Sequence, residues 1–126
     1  MLVEYPYEKP KEENRFNLFP RELENDSFVF FHGTADANRE SIIKNGFQIS
    51  GRLPSVSFAR NSGLALKYAC EKRNDESPNG CILAVRFDSI DKPEMKLECF
   101  GIHVYKFDPQ PSIVGYCVIP AEYRFV

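Results

Sequence analysis

The stretch that most limits the possible folds is "CILAVRF", Cys81–Phe87. It lies between the turn-forming loop "NDESPNG" (74–80) and a second turn over Asp88–Pro93. A short, continuous apolar run bounded by turn signals reads as a buried strand. The rest of the chain must therefore supply paired strands and covering helices.

Phe28–His32 is a second short buried strand. Asn38–Asn45 has a helical pattern, with Ile42, Ile43 and then Phe47 as its apolar face, and Gly46 is the expected left-handed stop. Residues 50–54 read as a loop, and Val56–Ala59 as another strand. Ser62 is a suitable N-cap for a helix running to about Arg73, with Leu64, Ala65, Tyr68 and Ala69 on one face. Beyond "CILAVRF", residues 95–107 alternate as one or two strands around Gly101. Ser112–Ile119 is a strand ended by Pro120, and Tyr123–Val126 offers a last one. Helices early and strands late predict an α+β fold with a largely antiparallel sheet, not a doubly wound parallel one. Residues 1–27 are polar and proline-bearing and read as an N-terminal arm, whose Tyr5, Tyr7, Phe16 and Phe19 could dock. Residues 28–126 read as a single domain.

The chain has 126 residues, 43% hydrophobic and 27% charged, with a net charge of −2. That balance argues against bulk electrostatic capture of nucleic acid. No apolar run approaches the ~20 residues of a membrane span, and the N-terminal stretch has no apolar signal core. A cytoplasmic monomer with no membrane partner is the expectation. Cys70, Cys81, Cys99 and Cys117 show no C-x-x-C spacing, and each sits in or beside an apolar run. They read as buried, reduced thiols in a reducing compartment, with no metal site. Phosphate-loop, dinucleotide and nucleophile-elbow motifs are absent.

His32-Gly33-Thr34 closes the first strand. The glycine lets a ligand approach the backbone, and the histidine offers a nitrogen donor or acceptor at a strand end. Such a pair suits a carboxamide next to a sugar hydroxyl. Ser55 and Ser57 face one side of the next strand, and Tyr68 on the following helix could present a ring to a planar ligand. His103, in "GIHVYKF", reads as a strand histidine near the surface. Arg86 and Asp88 flank a strand end and could pair.

In order and spacing, these stretches resemble the ADP-ribosyltransferase superfamily, on the side of the poly-ADP-ribose polymerases and diphtheria toxin. "HGT…IIKNGF" matches that group's first strand and helix, "SVSFA" stands where the family has G-I-Y-F-A, and Tyr68 follows Ser57 at the family's spacing of its two tyrosines. The resemblance implies two small, mostly antiparallel sheets, flanked by two helices, that form a cleft for NAD as substrate. His32 would bind the adenosine ribose, Gly33 the nicotinamide carboxamide, and Tyr68 the nicotinamide ring. Thr34, Ser55 and Arg52 would complete the NAD site. Ser57 replaces the family's first tyrosine, and Ala65 its carboxamide-binding serine. The polymerases' glutamate falls on Val114, so chain elongation is not expected. Glu122 and Glu98 are substitute carboxylates, and His32, Ser57 and Glu122 form the candidate catalytic set.

The expected function is transfer of a single ADP-ribose from NAD to a macromolecular acceptor, with release of nicotinamide. RNA 2′-phosphotransferases are also similar at "GRLPSVSFA", "CILAVRFDSID" and "IPAEYRF". They imply NAD-dependent phosphate removal, with Arg52 on phosphate. A catalytically silent binding or inhibitory module on the same fold is the third expectation.

Overall fold

The computed structural model describes residues 2–49 and 52–124. Its seven strands are β1 (Val3–Glu4), β2 (Val29–Ala35), β3 (Val56–Ala59), β4 (Gly80–Arg86), β5 (Met95–Glu98), β6 (Gly101–Val104) and β7 (Ser112–Ile119). Its helices are α1 (Arg21–Glu24), α2 (Arg39–Asn45) and α3 (Ser62–Glu71), with 3-10 turns at Glu12–Asn14 and Asp36–Asn38. The α+β class is as expected. The expected pair of small sheets is instead one seven-stranded sheet, in the order β1-β7-β4-β2-β3-β6-β5. Its pairings are antiparallel except for the parallel β1–β7 edge. A single registered pair, Phe31↔Ala59, ties β2 to β3 and so makes two half-sheets one.

Cys81–Arg86 of "CILAVRF" lie in β4, between β2 and β7, and Cys81–Val85 are buried on both faces while Arg86 is exposed. Alternation sends β2 residues to two cores. Val29 and Phe31 join Ile82, Ala84, Ala65, Leu66 and Ala69 on the α3 face. Phe30 joins Leu83, Val85, Phe47, Phe58 and Phe87 on the α2 face.

Several local expectations change. The N-cap of α3 is Asn61, whose Oδ1 accepts from Leu64 N at 3.1 Å. Ser62 is displaced from that role because its hydroxyl turns inward to Glu24. The buried face of α3 is Ser62, Ala65, Leu66 and Ala69, while Tyr68 is 52% exposed. Gly46 takes a positive φ of 81°, but its ψ of 177° is extended rather than left-handed helical. Arg86 pairs with Asp26 at 3.1 Å rather than with Asp88, which meets Lys92 at 3.5 Å. Tyr123 and Arg124 are not in a strand, and residues 125–126 lie outside the described residues. Cys81 and Cys117 are buried, and desolvation pushes both thiols up to about 12. Cys70 is half-buried, and Cys99 is exposed because it sits in the β5–β6 turn at the sheet's rim.

The N-terminal arm is folded onto the domain. β1 extends the sheet, Tyr5 packs edge-on against Phe19 with centroids 5.3 Å apart, and Phe19 is buried.

Candidate functional site

The sheet parts just beyond the Phe31↔Ala59 pair. Carrying that register two residues on sets Gly33 opposite Ser57, yet the two strands are not paired there. The imidazole of His32 fills the break: its Nδ1 donates to the Ser57 carbonyl at 3.0 Å. A carbonyl only accepts, so Nδ1 carries the proton and the neutral ring keeps Nε2 as an acceptor. In an antiparallel ladder a residue's N–H and C=O point to the same side. Ser57 thus turns its backbone toward β2, and the same alternation aims the Gly33 amide and carbonyl at the gap.

The residues of the gap divide between the two faces of the sheet. His32 lies on the α2 face, with its ring 5.2 Å from Phe47 and 5.4 Å from Phe58 between centroids. Beside it opens a cavity of about 260 Å³ lined by His32, Asn38, Ser41, Phe47, Gln48 and Val56 among others. The Gln110 amide holds the backbone of the lining residue Phe47, donating to its carbonyl at 2.7 Å and accepting from its N–H at 2.9 Å. Gly33 lies on the opposite, α3 face. A methyl group on it would stand 2.6 Å from Ala69 N and 3.1 Å from Tyr68 Cβ, and closer still to the Ala65 carbonyl. The missing side chain is what lets α3 lie against β2 and brings Tyr68 beside Gly33. Ala59 packs on the α3-side core, so alternation puts Ser57 on that face too. His32, Gly33, Ser57 and Tyr68 therefore surround one gap, with His32 reaching it from the far side.

Other expected site residues stand differently. Thr34 is buried, and its Oγ1 accepts from Asn38 Nδ2 at 3.2 Å, so it anchors a residue that lines the cavity. Ser55 precedes β3 and is half-buried, and Arg52 is exposed in the preceding loop. Glu122 is exposed in the turn after β7. β2 and β4 lie between β7 and β3. At ~4.8 Å per strand that places Glu122 roughly 14 Å from Ser57 across the sheet, so the structure does not bring it to the gap. Val114 is half-buried against the α3-side core.

The sequence reading missed the partners of Ser57. Ser57 Oγ lies 2.7 Å from His103 Nδ1, and His103 Nε2 lies 3.4 Å from Glu98 Oε2. Lys96 Nζ holds the other Glu98 oxygen at 3.6 Å. Ser57 and His103 are registered partners, as are Lys96 and His103. A polar alternation at Lys96 and Glu98 was legible, but the pairing of β3 with β6 was not.

Desolvation by the surrounding packing pushes the His32 imidazole below its usual 6.5, outweighing the raising effect of the Ser57 carbonyl; Lys72 adds to the lowering. The unfolded chain therefore takes up a proton at a higher pH than the native one does. Stability falls as pH drops below about 6.5 and levels off below the lowered native value. Urea midpoints measured at neutral and mildly acid pH test this. His32→Gln, which keeps a donor for Ser57, should flatten that limb; an unchanged limb would show that another group sets it.

Among the described residues no helix is long and apolar enough to cross a membrane, and no group of three or more His, Cys, Asp or Glu could hold a metal ion. No protein-family model matches the chain, and no curated protein matches it.

Proposed function

We propose that the parted β2–β3 junction is an NAD site and that the chain transfers a single ADP-ribose from NAD to a macromolecular acceptor. The observation that carries this reading is the break itself. Gly33 faces the gap with its backbone, Tyr68 stands beside it, and the His32 ring spans the break and lines the adjoining cavity. A carboxamide offers one donor pair and one acceptor, which the Gly33 carbonyl and amide complement. The Tyr68 ring is free to stack on a planar base. A neutral His32 Nε2 accepts from a ribose hydroxyl. An ADP-ribosyltransferase fold is the finer description that goes with this reading. The weak Phe31↔Ala59 tie between half-sheets supports it.

NAD at a hundredfold excess over its Kd should stabilise the chain by about 2.7 kcal/mol and raise Tm by roughly 10 °C. His32→Ala should abolish most of that rise. Labelled NAD with cell lysate should then give a labelled macromolecule. No shift in Tm would remove the reading. A second reading, NAD binding without transfer, is favoured by Val114, an apolar residue packed on the α3-side core at the position that the resemblance aligns with the polymerases' glutamate. A full NAD-dependent shift with no labelled product and no nicotinamide released would select it.

A further inference from the structure

The Ser57 hydroxyl has the surroundings of a nucleophile. Because the Ser57 backbone turns toward β2, its pairing with His103 is the close kind in which side chains approach most nearly. This accounts for the 2.7 Å between Oγ and Nδ1. At 3.4 Å from Nε2, the acceptor-only carboxylate of Glu98 favours the proton on that nitrogen. Nδ1 is then left to accept, and the hydroxyl donates to it. Glu98 is itself held from the other side by Lys96. A hydroxyl on a base, with the base oriented by a carboxylate, is the arrangement that activates serine. Ser57 is exposed and shares the α3 face with Gly33 and Tyr68.

We propose that Ser57 is an activated nucleophile, with His103 as its base and Glu98 as a positioning residue, and that it is the chain's own first acceptor of ADP-ribose. This rests on the reading of the gap as an NAD site. In the reaction the bond between ribose C1′ and the nicotinamide nitrogen breaks. Its electron pair leaves with nicotinamide, which departs neutral. The Oγ–C1′ bond forms, and the hydroxyl proton passes to His103 Nδ1, giving an imidazolium beside Glu98. No oxidant, metal or further reactant is needed.

Incubation of the full chain with NAD, followed by peptide mapping by mass spectrometry, tests the assignment. One ADP-ribose on the Ser57 peptide is expected. His103→Gln should slow its appearance by at least about 100-fold, the usual contribution of a positioned base. Glu98→Gln, which removes the carboxylate that fixes the tautomer of the base, should slow it by at least about tenfold. Nitrogen NMR should show His103 moving from the Nε2-protonated tautomer to a mixture in that variant, a change that a purely structural role for Glu98 would not produce. Thermal melts check folding, and Glu98→Gln, at an exposed position, carries the test if His103→Gln unfolds. ADP-ribose on other residues or on added proteins while Ser57 stays bare would overturn the proposal and leave the NAD reading standing. Modification of His103→Gln at the wild-type rate would do the same. Absence of any NAD-dependent rise in Tm would remove both.

Discussion

Gly33→Ala should lower Tm by roughly 10 °C, from about 2–3 kcal/mol of overpacking, and should weaken the NAD-dependent shift beyond that loss. The added methyl would meet Ala69 N at 2.6 Å and lie nearer still to the Ala65 carbonyl. Both are backbone atoms in the middle of α3, so no rotamer change relieves the clash. The helix must move off β2 as a body, and it carries Tyr68 with it. Ala65, Leu66 and Ala69 would lose close contact with Phe31 and Ile82 in the same core. A substitution at a surface site would move Tm without touching the ligand response. Here both should change, because the residue that seats the helix also sets the distance from Tyr68 to the gap. Thermal melts with and without NAD read the two effects separately. A variant that melts within about 2 °C of wild type would show that α3 has slack that these distances deny.

The elements that were legible in the sequence carry their own local signal. "CILAVRF" and the early run Phe28–His32 both form strands, but β2 continues three residues past His32 to Ala35, so His-Gly-Thr lies inside the strand, paired with β4, and not at its end. The helices α2 and α3 announce themselves by spacing and by Gly46. What stayed hidden depends on register or on distant partners. Asn61 and Ser62 are both good caps by chemistry, and the choice between them is made by Glu24, 38 positions away. Arg86 finds Asp26 across 60 positions rather than its near neighbour Asp88. His103 looked like an unassigned strand residue because its meaning comes from Ser57, the partner that the β3–β6 register gives it. His32 and Gly33 were singled out together, yet they face opposite sides of β2. Alternation alone predicts that division once the strand is accepted. Two small sheets were expected where one is formed, and the difference is a single residue pair, which no composition or periodicity encodes.

Glu24→Ala should cost about 3 kcal/mol, the loss of several hydrogen bonds to one buried charged acceptor, and should loosen the first turn of α3 more than any other element. The Glu24 side chain accepts from Ser62 N at 3.0 Å and Phe19 N at 3.3 Å, and very closely from the Ser62 hydroxyl. Ser62 Oγ in turn accepts from Leu18 N at 2.7 Å, and Asn17 Oδ1 accepts from Gly63 N at 3.0 Å. Residues 17–24 thus satisfy N-terminal amides that α3 cannot pair within itself, and a carboxylate there also suits the positive end of the helix. Removing it strands donors on Ser62 and Phe19, both of which are buried. Burial raises the Glu24 pKa above its usual 4.5 despite the opposing hydrogen bonds from Ser62 and Phe19 and the Arg60 charge. The native chain therefore holds this proton to a higher pH than the unfolded chain does, and Glu24's contribution to stability falls as pH rises from about 4.5 through the raised native value. Glu24→Ala should remove that slope as well as lowering Tm. Amide exchange at Ser62–Leu64 should quicken before exchange in β2 and β4. Unchanged exchange there, with Tm within about 2 °C of wild type, would mean that the arm lies on the domain without holding it.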